Sequence, residues 1–326
     1  MNMHKVAVVG ASGYAGIELV RILLRHPQVR IGFYGANTQA GASVASAYPH
    51  LRQIVEDKFS SPSESEGWKD CSLVFTALPH GESQKAVPTF LEAGKKVIDL
   101  SADYRLSESA VYGMPELGMR SRIVESDLIA NPGCYPTACL LAIQPLLSKN
   151  FIMKERVVFD CKSGITGAGR SASQNNLFCE LAENVHPYGL LGVHRHQPEI
   201  EAVIGCPVQF SPHLMPMKRG ILATAYVPLK ETVSEDEIRQ IYQEIYKDEP
   251  FIRLLPQGQW PRTSSVTGSN YCDIALGLDK RTNTLVLASV IDNLVKGAAG
   301  QAVQNMNLVL NLEETAALKE LNPLFP

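Results

Sequence analysis

The stretch that most limits the fold lies near the start of the chain. In VAVVGASGYAGIELVRIL, an apolar run, a glycine-rich turn and a helical pattern follow one another, with Gly10, Gly13 and Gly16 at regular spacing. This is a variant of the turn that places a dinucleotide pyrophosphate at a helix N-terminus, where N–H groups and the helix dipole favour an anion. We therefore expect a strand, a dinucleotide-binding turn and a helix here.

The rest of the chain divides into two patterns. In the first third, apolar runs such as KVAVVG, VRIGFYGA, SLVFTAL and KVIDLS alternate with helical segments, which is typical of a parallel sheet with crossover helices. After about Pro145 the apolar runs favour a mixed or antiparallel sheet, with one amphipathic helix opened by a capping box at Ser234 and Glu237. A chain of 326 residues exceeds what one core usually serves. The sequence thus predicts an α/β protein with a Rossmann-type dinucleotide-binding domain and a second, α+β domain.

Composition argues against several classes of function. The net charge of -3 does not indicate the excess of basic residues that binding to nucleic acid requires. No apolar run approaches the roughly 18 residues of a membrane span. The first apolar stretch is too short for a secretory signal, so we expect a cytoplasmic protein. The seven cysteines are odd in number and include no C-x-x-C pair, so we expect reduced thiols and no metal site.

The end of the second predicted strand bears on the choice of dinucleotide. NAD-selective sites usually carry an acid there, which accepts hydrogen bonds from the ribose. RIGFYGANTQAG contains no acid. Asn37, Thr38 and Gln39 are neutral hydrogen-bond donors that would tolerate a 2′-phosphate, and Ser12 in the glycine turn could supply a further donor. We therefore predict NADP as the cofactor, with Ser12 and Thr38 among its contacts.

One of the cysteines stands where a thiol becomes reactive. In NPGCYPTACLLAIQPLL, Pro136 fits a first helical turn, which places Cys134 at the helix N-terminus. There the dipole stabilises a thiolate, and free N–H groups can hold an oxyanion. Cys139 lies inside the apolar helix, and Cys161 and Cys272 lie in β-like runs, where a core filler is the usual role. Cys134 is therefore the candidate nucleophile.

A nucleophilic thiol needs a proton-transfer partner, and YGLLGVHRHQPEI supplies His194 and His196. In an extended backbone this spacing puts both imidazoles on one face, and Pro198 would begin a helix with Glu199 in its first turn. A metal site and an exposed polar turn are the alternatives, although no third and fourth ligand stand nearby. A cysteine, a histidine and a nicotinamide site together suggest thioester chemistry, in which hydride passes between the cofactor and a thiohemiacetal.

Several basic residues flanked by small ones could bind a carboxylate or phosphate group of a small anionic substrate. They are Arg105 in SADYR, Lys162 and Arg170 in KSGITGAGR, and Lys218 and Arg219 in MKRG. Taken alone, each is more often a solvated surface cation, so the residues leave open which of them binds substrate.

Several motifs, ordered along nearly the whole chain, resemble those of the N-acetyl-gamma-glutamyl-phosphate reductase family, which is related in fold to aspartate-semialdehyde dehydrogenase. They are GASGYAG, DLSADYRL, NPGCYPTA, SGITGAGR, HRHQPEI, SPHLMPMKRGI and DNLVKGAAGQAVQN. The resemblance implies NADPH-dependent reduction of N-acetyl-L-glutamyl 5-phosphate to the 5-semialdehyde and phosphate, through a cysteine thioester, in arginine biosynthesis. Two alternatives stay open: the same chemistry on a carrier-linked aminoadipyl phosphate in lysine biosynthesis, and a non-enzymatic NADP-binding redox sensor.

The resemblance also implies roles for individual residues. Cys134 would be the nucleophile, His196 its acid/base and Glu199 the residue that orients the imidazole. Asn293 and Gly297 would lie on the nicotinamide side of the cofactor. The substrate would be bound by five further residues: Arg105, Arg170, Tyr188, His194 and Arg219.

The same resemblance implies a domain organisation. Residues 1–135 and 296–326 would form an NADP-binding Rossmann-type domain, and residues 136–295 a catalytic and dimerisation domain with a mixed sheet. The partners would be a small acyl phosphate and inorganic phosphate, with no nucleic acid and no membrane. We expect a homodimer or a homotetramer.

Overall fold

A computed structural model describes residues 3–170, 174 and 177–321, which form two compact units. The first comprises the chain up to Pro132 together with Ala298–Glu320, and the second comprises Gly133–Gly297. These changeover points differ by a few residues from the domain boundaries predicted at 135/136 and 295/296. The assignment of cofactor binding to one domain and catalysis to the other stays a prediction.

The first unit is built on a sheet of six strands: β1 (His4–Val9), β2 (Val29–Gly35), β3 (Leu73–Thr76), β4 (Lys96–Asp99), β5 (Val111–Tyr112) and β6 (Leu128–Ala130). Their order is β2-β1-β3-β4-β6-β5, and every pair is parallel. The helices are α1 (Tyr14–Leu23), α2 (Val44–Ala47), α3 (Ser83–Glu92), α4 (Arg120–Glu125) and, from near the end of the chain, α9 (Gly300–Val309). The parallel Rossmann-type sheet predicted from the alternating pattern is therefore confirmed.

Helix α9 returns to this first unit from the far end of the chain. It contacts α1 and α4, and nearly all of its residues are buried. A buried histidine that follows α1, His26, makes a 3.0 Å hydrogen bond through Nε2 to Oδ1 of Asn307. Strands β1, β3, β4 and β6 are largely buried on both faces, which explains why their sequences are continuous apolar runs.

The close packing of the turn between β1 and α1 requires glycine at two positions, Gly10 in the turn and Gly16 in the first part of α1. Gly10 has φ +90°, and a Cβ there would overlap the carbonyl oxygen of Ala77, just after β3. A Cβ on Gly16 would overlap the carbonyl oxygen of Gly10. The turn thus lies between β1 and β3, where the strand order reverses, and ligands of open α/β sheets bind at such a point.

Replacing Gly16 with alanine is expected to lower the free energy of unfolding by about 1–3 kcal/mol, because the new methyl group overlaps a backbone oxygen. Gly13→Ala is the matched control, since a Cβ there meets only the Gly10 oxygen, at 3.5 Å. Urea unfolding of both variants measures the difference. Equal losses in the two would contradict a steric requirement at Gly16.

The second unit holds a mixed sheet of seven strands: β7 (Val158–Gly164), β8 (His186–Pro187), β9 (Gln209–Met215), β10 (Ile221–Pro228), β11 (Ile252–Leu254), β12 (Cys272–Asp279) and β13 (Thr284–Ile291). Their order is β11-β12-β13-β10-β7-β9-β8, in which β7–β9 and β11–β12 are the parallel pairs. The helices are α5 (Cys134–Ile143), α6 (Phe178–Leu181), α7 (Gln197–Ile204) and α8 (Glu235–Tyr246). The mixed sheet is as predicted, and so is the capping box of Ser234 and Glu237 at the start of α8.

Helix α5 is embedded in this second unit. Every residue from Tyr135 to Ile143 is buried, and the helix packs on β10 and β13. Tyr242 and Tyr246 of α8 donate hydrogen bonds of 2.5 and 2.6 Å to carbonyls of its last turns. Because the helix is held along its length and at its far end, its first residue, Cys134, has a well-defined position.

Candidate active site

Cys134 is the first residue of α5, as the sequence predicted. It follows Gly133, whose backbone is extended (φ -70°, ψ 153°) and which has no side chain to cap the helix. The N–H groups and the dipole at this end favour a negative charge. The Cys134 side chain is partly exposed, whereas Cys139 and Cys161 are buried with their sulfur atoms 3.6 Å apart. Unlike that core pair, Cys134 is accessible to a substrate.

Gly297 lies directly against Cys134. A Cβ built on Gly297 would lie 2.8 Å from the Cβ of Cys134 and 3.2 Å from its Cα. Glycine therefore lets the π-helical turn Val295–Ala299 approach the thiol-bearing residue as closely as a backbone can. The predicted contact of Gly297 with the cofactor stays a prediction, and its contact with Cys134 could not be read from the sequence.

Glu199 contacts the residue that precedes the candidate nucleophile. It lies in the first turn of α7, as predicted from Pro198, and is buried. Its Oε1 accepts a 2.8 Å hydrogen bond from the backbone N–H of Gly133. This carboxylate thus ties α7 to the start of α5. Its predicted action on the imidazole of His196 stays a prediction.

His194 and His196 form an aromatic cluster with Tyr135, the residue after Cys134. The two imidazole centroids lie 5.0 Å apart, and the Tyr135 ring lies 5.7 Å from His194 and 6.0 Å from His196. The backbone here forms a turn rather than an extended segment, and Nδ1 of His194 accepts a 3.1 Å hydrogen bond from the N–H of His196. The turn brings both rings to the start of α5.

Tyr188 belongs to the same cluster. Its ring lies 5.3 Å from that of His194, and its hydroxyl donates to the hydroxyl of Tyr135, which donates to the carbonyl of His213, both at 3.2 Å. Burial raises the pKa of Tyr188 to about 12 and raises the pKa of Tyr135 as well. Both phenols are therefore protonated hydrogen-bond donors at neutral pH. The sequence indicated Tyr188 but missed Tyr135, although it stands in the NPGCYPT motif.

Asn293 joins the two arginine-bearing loops of the second unit. Its Nδ2 donates to Oγ1 of Thr166 at 2.9 Å, and its Oδ1 accepts from the N–H of Gly220 at 2.8 Å. Arg170 is exposed at the end of the first loop, and the Arg219 side chain is 25% exposed on the second. The contact of Asn293 with a cofactor and the contacts of both arginines with a substrate stay predictions.

Arg105 belongs to the first unit. Its Nε donates to the carbonyl of Asn131 and its Nη2 to the carbonyl of Leu100, each at 2.9 Å. Because these carbonyls follow β6 and β4, the guanidinium bridges the carboxyl ends of two neighbouring parallel strands. The side chain is partly exposed. Its binding of a substrate anion stays a prediction.

The glycine turn of the first unit fits a dinucleotide. Helix α1 begins at Tyr14 after Gly13, which is extended and carries no capping side chain, so the first N–H groups of α1 suit a phosphate. The end of β2 lies beside the turn, because the carbonyl of Gly35 accepts hydrogen bonds from two of its N–H groups. Ser12 is partly exposed in the turn, Thr38 is exposed just beyond β2, and residues 36–40 include no acid. Direct contacts of these residues with the cofactor stay predictions.

The described residues contain neither a metal-binding cluster nor a membrane-spanning helix. No group of three or more histidine, cysteine, aspartate or glutamate side chains there could hold a metal ion. Over the same part of the chain, no helix has the length and apolar character that crossing a bilayer requires.

The environment of His194 makes stability depend on pH. Burial, and secondarily the charge of Arg195, lower its pKa to about 4, against an ordinary value of about 6.5. Between these values the unfolded chain binds a proton that the folded chain does not, so the free energy of unfolding falls as pH drops from about 6.5 towards 4. Urea unfolding across this range should show that His194→Gln removes up to about 3 kcal/mol of the decline. The control is His50→Gln, at an exposed histidine, which should leave the decline unchanged. An unchanged pH profile in His194→Gln would contradict the attribution of the decline to His194.

Two family models match the two parts of the chain. The semialdehyde dehydrogenase NAD binding domain matches residues 5–125, and the semialdehyde dehydrogenase dimerisation domain matches residues 134–293. The fold is similar to that of Vibrio cholerae aspartate semialdehyde dehydrogenase II complexed with ASA (TM-score 0.78, 19% identity, 95% of this chain and 99% of that one). It is also similar to the Candida albicans aspartate semialdehyde dehydrogenase with NADP (TM-score 0.75, 17% identity, 95% and 99%). The chain is thus an oxidoreductase of the semialdehyde dehydrogenase class with a dinucleotide-binding domain.

Curated relatives narrow the class to one family. An N-acetyl-gamma-glutamyl-phosphate reductase of Geobacter metallireducens is 46% identical over 99% of this chain and 100% of its own. The protein of that name from Symbiobacterium thermophilum is 45% identical over 99% of both chains. The chain belongs to the N-acetyl-gamma-glutamyl-phosphate reductase family, which confirms the resemblance found in its motifs.

Proposed function

We propose that this protein reduces N-acetyl-L-glutamyl 5-phosphate to N-acetyl-L-glutamate 5-semialdehyde and inorganic phosphate, using NADPH, in arginine biosynthesis. The observation that carries this is the position of Cys134 at the mouth of α5, with the histidine turn packed on the next residue. Full-length relatives that bear the name of this activity support the substrate.

In the first step, His196 accepts the thiol proton of Cys134. The thiolate attacks the carbonyl carbon of the acyl phosphate, a C–S bond forms, and the C–O bond to phosphate breaks with its electron pair leaving on phosphate. The N–H groups at the start of α5 favour the negative charge that develops on the carbonyl oxygen. The product is a thioester on Cys134.

In the second step, NADPH, when bound, supplies the hydride that reduces the thioester carbon. His196 gives its proton to the resulting oxyanion, which forms a thiohemiacetal on Cys134. It takes that proton back as the C–S bond breaks, the electron pair returns to sulfur, and the aldehyde is released. Glu199 holds the backbone before Cys134 in place and orients the imidazole.

Further residues bind the substrate and the cofactor in this proposal. Arg105, Arg170 and Arg219 bind the carboxylate and phosphate groups, since a guanidinium fork matches both. The substrate pocket also includes His194 and Tyr188. The tie that Asn293 makes between the two arginine loops of the second unit supports a shared role for Arg170 and Arg219. Asn293 and Gly297 lie on the nicotinamide side.

We infer NADP rather than NAD as the cofactor. The glycine turn of Gly10, Gly13 and Gly16, together with Ser12 and Thr38, binds the dinucleotide. The absence of an acid among residues 36–40 supports this choice, because a carboxylate there would repel a 2′-phosphate. The chain would act as a homodimer or homotetramer, which is consistent with its dimerisation domain.

Phosphate-dependent reduction of NADP⁺ by N-acetyl-L-glutamate 5-semialdehyde tests the proposal. We expect NADPH to form only when both semialdehyde and phosphate are present, and NADP⁺ to bind more tightly than NAD⁺. Turnover of the aminoadipyl analogue alone would favour the alternative hypothesis, the same chemistry on an aminoadipyl phosphate in lysine biosynthesis. Binding of NADPH without turnover of either substrate would instead favour a redox sensor and contradict the proposal.

A further inference from the structure

Asp292, the residue after β13, is fully buried and surrounded by hydrogen-bond donors. Its Oδ1 accepts from the backbone N–H groups of Leu294 at 2.8 Å and Val295 at 3.3 Å. Its Oδ2 accepts from the N–H of Gly268 at 2.7 Å and from Nη1 of Arg219 at 3.2 Å. An ionised carboxylate, which only accepts, satisfies all four donors. Asp292 therefore joins three segments of the second unit at one point.

One oxygen of Asp292 holds the turn that packs on Cys134. Oδ1 accepts from the N–H groups of Leu294 and Val295, where the turn begins, and the Asp292 carbonyl accepts a 3.0 Å hydrogen bond from the N–H of Gly297. A Cβ on Gly297 would lie 2.8 Å from the Cβ of Cys134, so this turn and the thiol-bearing residue are in close packing contact. The carboxylate thus fixes the start of the turn at Leu294 and Val295, and the backbone carbonyl of the same residue holds Gly297, which abuts Cys134.

The other oxygen orients Arg219. The Arg219 side chain is 25% exposed, while its partner carboxylate is fully buried. A charge-assisted hydrogen bond to a buried and fully satisfied carboxylate fixes the direction of a guanidinium better than a solvated ion pair does. The direction of the Arg219 side chain is therefore influenced by a buried carboxylate that three backbone N–H groups hold in place.

We propose that Asp292 is a positioning residue that orients Arg219 towards a substrate anion and holds the Gly297 turn against Cys134. Through these two contacts it couples the binding of an anion to the placement of the nucleophile. The Arg219 half of this inference rests on the proposed function, in which Arg219 binds substrate. The Cys134 half rests only on the contacts within the second unit.

Asp273 on β12 provides a matched control. Its side chain is 4% exposed, and its Oδ1 accepts a hydrogen bond from Nε of Arg253 at 2.5 Å. Like Asp292, it is a buried aspartate paired with an arginine, although a different one. Among the described contacts, no hydrogen bond joins it to the turn at Gly297. Asp273→Asn and Asp292→Asn therefore make the same chemical change at two buried aspartates, of which Asp292 contacts Arg219 and the turn before Gly297.

The first measurement compares KM values in the phosphate-dependent assay. Asp292→Asn places an amide N–H against donors, and we expect it to raise KM for phosphate or for the semialdehyde by about ten- to a hundredfold. Arg219→Ala should raise the same KM, and the double variant should add little, because both changes remove one contact. Asp273→Asn should leave KM unchanged. Additive effects of the two single changes, or an unchanged KM in Asp292→Asn, would overturn the Arg219 half.

The second measurement is the rate at which iodoacetamide alkylates Cys134, followed by peptide mass spectrometry without cofactor. Asp292→Asn should change this rate severalfold. An amide has one acceptor oxygen where the carboxylate has two, so an N–H group must face donors on one side, which displaces residue 292 and the Gly297 turn that its carbonyl holds. Arg219→Ala and Asp273→Asn should keep the wild-type rate. An unchanged rate in Asp292→Asn would overturn the Cys134 half. This readout needs no turnover, so it tests Asp292 even if the wild-type protein fails to use the proposed substrate. If Asp292→Asn does not fold, Asp292→Glu, which keeps the charge but displaces it, should give the same two shifts.

Discussion

Cys134→Ser is expected to lower the phosphate-dependent rate on the order of 10⁴–10⁶-fold, the loss that removal of a covalent nucleophile typically causes. A serine hydroxyl is nearly the size of the thiol but ionises far less readily, so few molecules carry the attacking anion. Two contacts that position the residue are kept by serine: Glu199 holds the N–H of Gly133, and Gly297 abuts the Cα and Cβ of Cys134. The variant should therefore fold normally and fail in chemistry.

Cys206→Ser is the matched control for this substitution. Cys206 is also partly exposed in the second unit, but it lies in the turn after α7 and not at a helix start. It should keep the wild-type rate and the wild-type unfolding midpoint. Substantial activity in Cys134→Ser, with normal folding, would remove the nucleophile assignment.

His196→Asn has the second largest expected effect, a fall in rate of about 10²–10⁴-fold, which is the usual contribution of a positioned acid/base. Asparagine cannot accept and return a proton at neutral pH, so both the formation of the thiolate and the collapse of the thiohemiacetal should slow. His196 is buried beside Tyr135, so the variant's unfolding midpoint must be measured with its rate.

His186→Asn, at a partly exposed histidine of β8, controls for loss of an imidazole elsewhere in the second unit. It should retain the wild-type rate. If His196→Asn proved as active as wild type, proton transfer would have to be reassigned. If it lost activity only in proportion to lost folded protein, His196 would have a structural role instead.

The elements of the fold could be predicted because each depends on neighbours in sequence. Continuous apolar runs predicted strands buried on both faces, and Pro136 predicted that Cys134 lies at the start of α5. In the same way Pro198 located the beginning of α7, and the Ser234 capping box the beginning of α8. These signals act within one or two helical turns, and the structure agrees with all of them.

Contacts between distant segments could not be predicted in this way. The approach of Gly297 to Cys134 and the four donors around Asp292 join positions far apart in the chain, and only the packed fold brings them together. The histidine pair shows a local failure as well. An extended backbone would place both imidazoles on one face, but the turn before α7 brings them together by another route, onto Tyr135.

In the proposed reaction, Cys134 carries the acyl group as a thioester. Mass spectrometry of the protein mixed with N-acetyl-L-glutamyl 5-phosphate in the absence of NADPH tests this directly. We predict an N-acetylglutamyl adduct on the peptide that contains Cys134, which disappears when NADPH is added and is absent from Cys134→Ser. A protein that releases phosphate and forms semialdehyde without any adduct on Cys134, or with the adduct on another residue, would contradict the account.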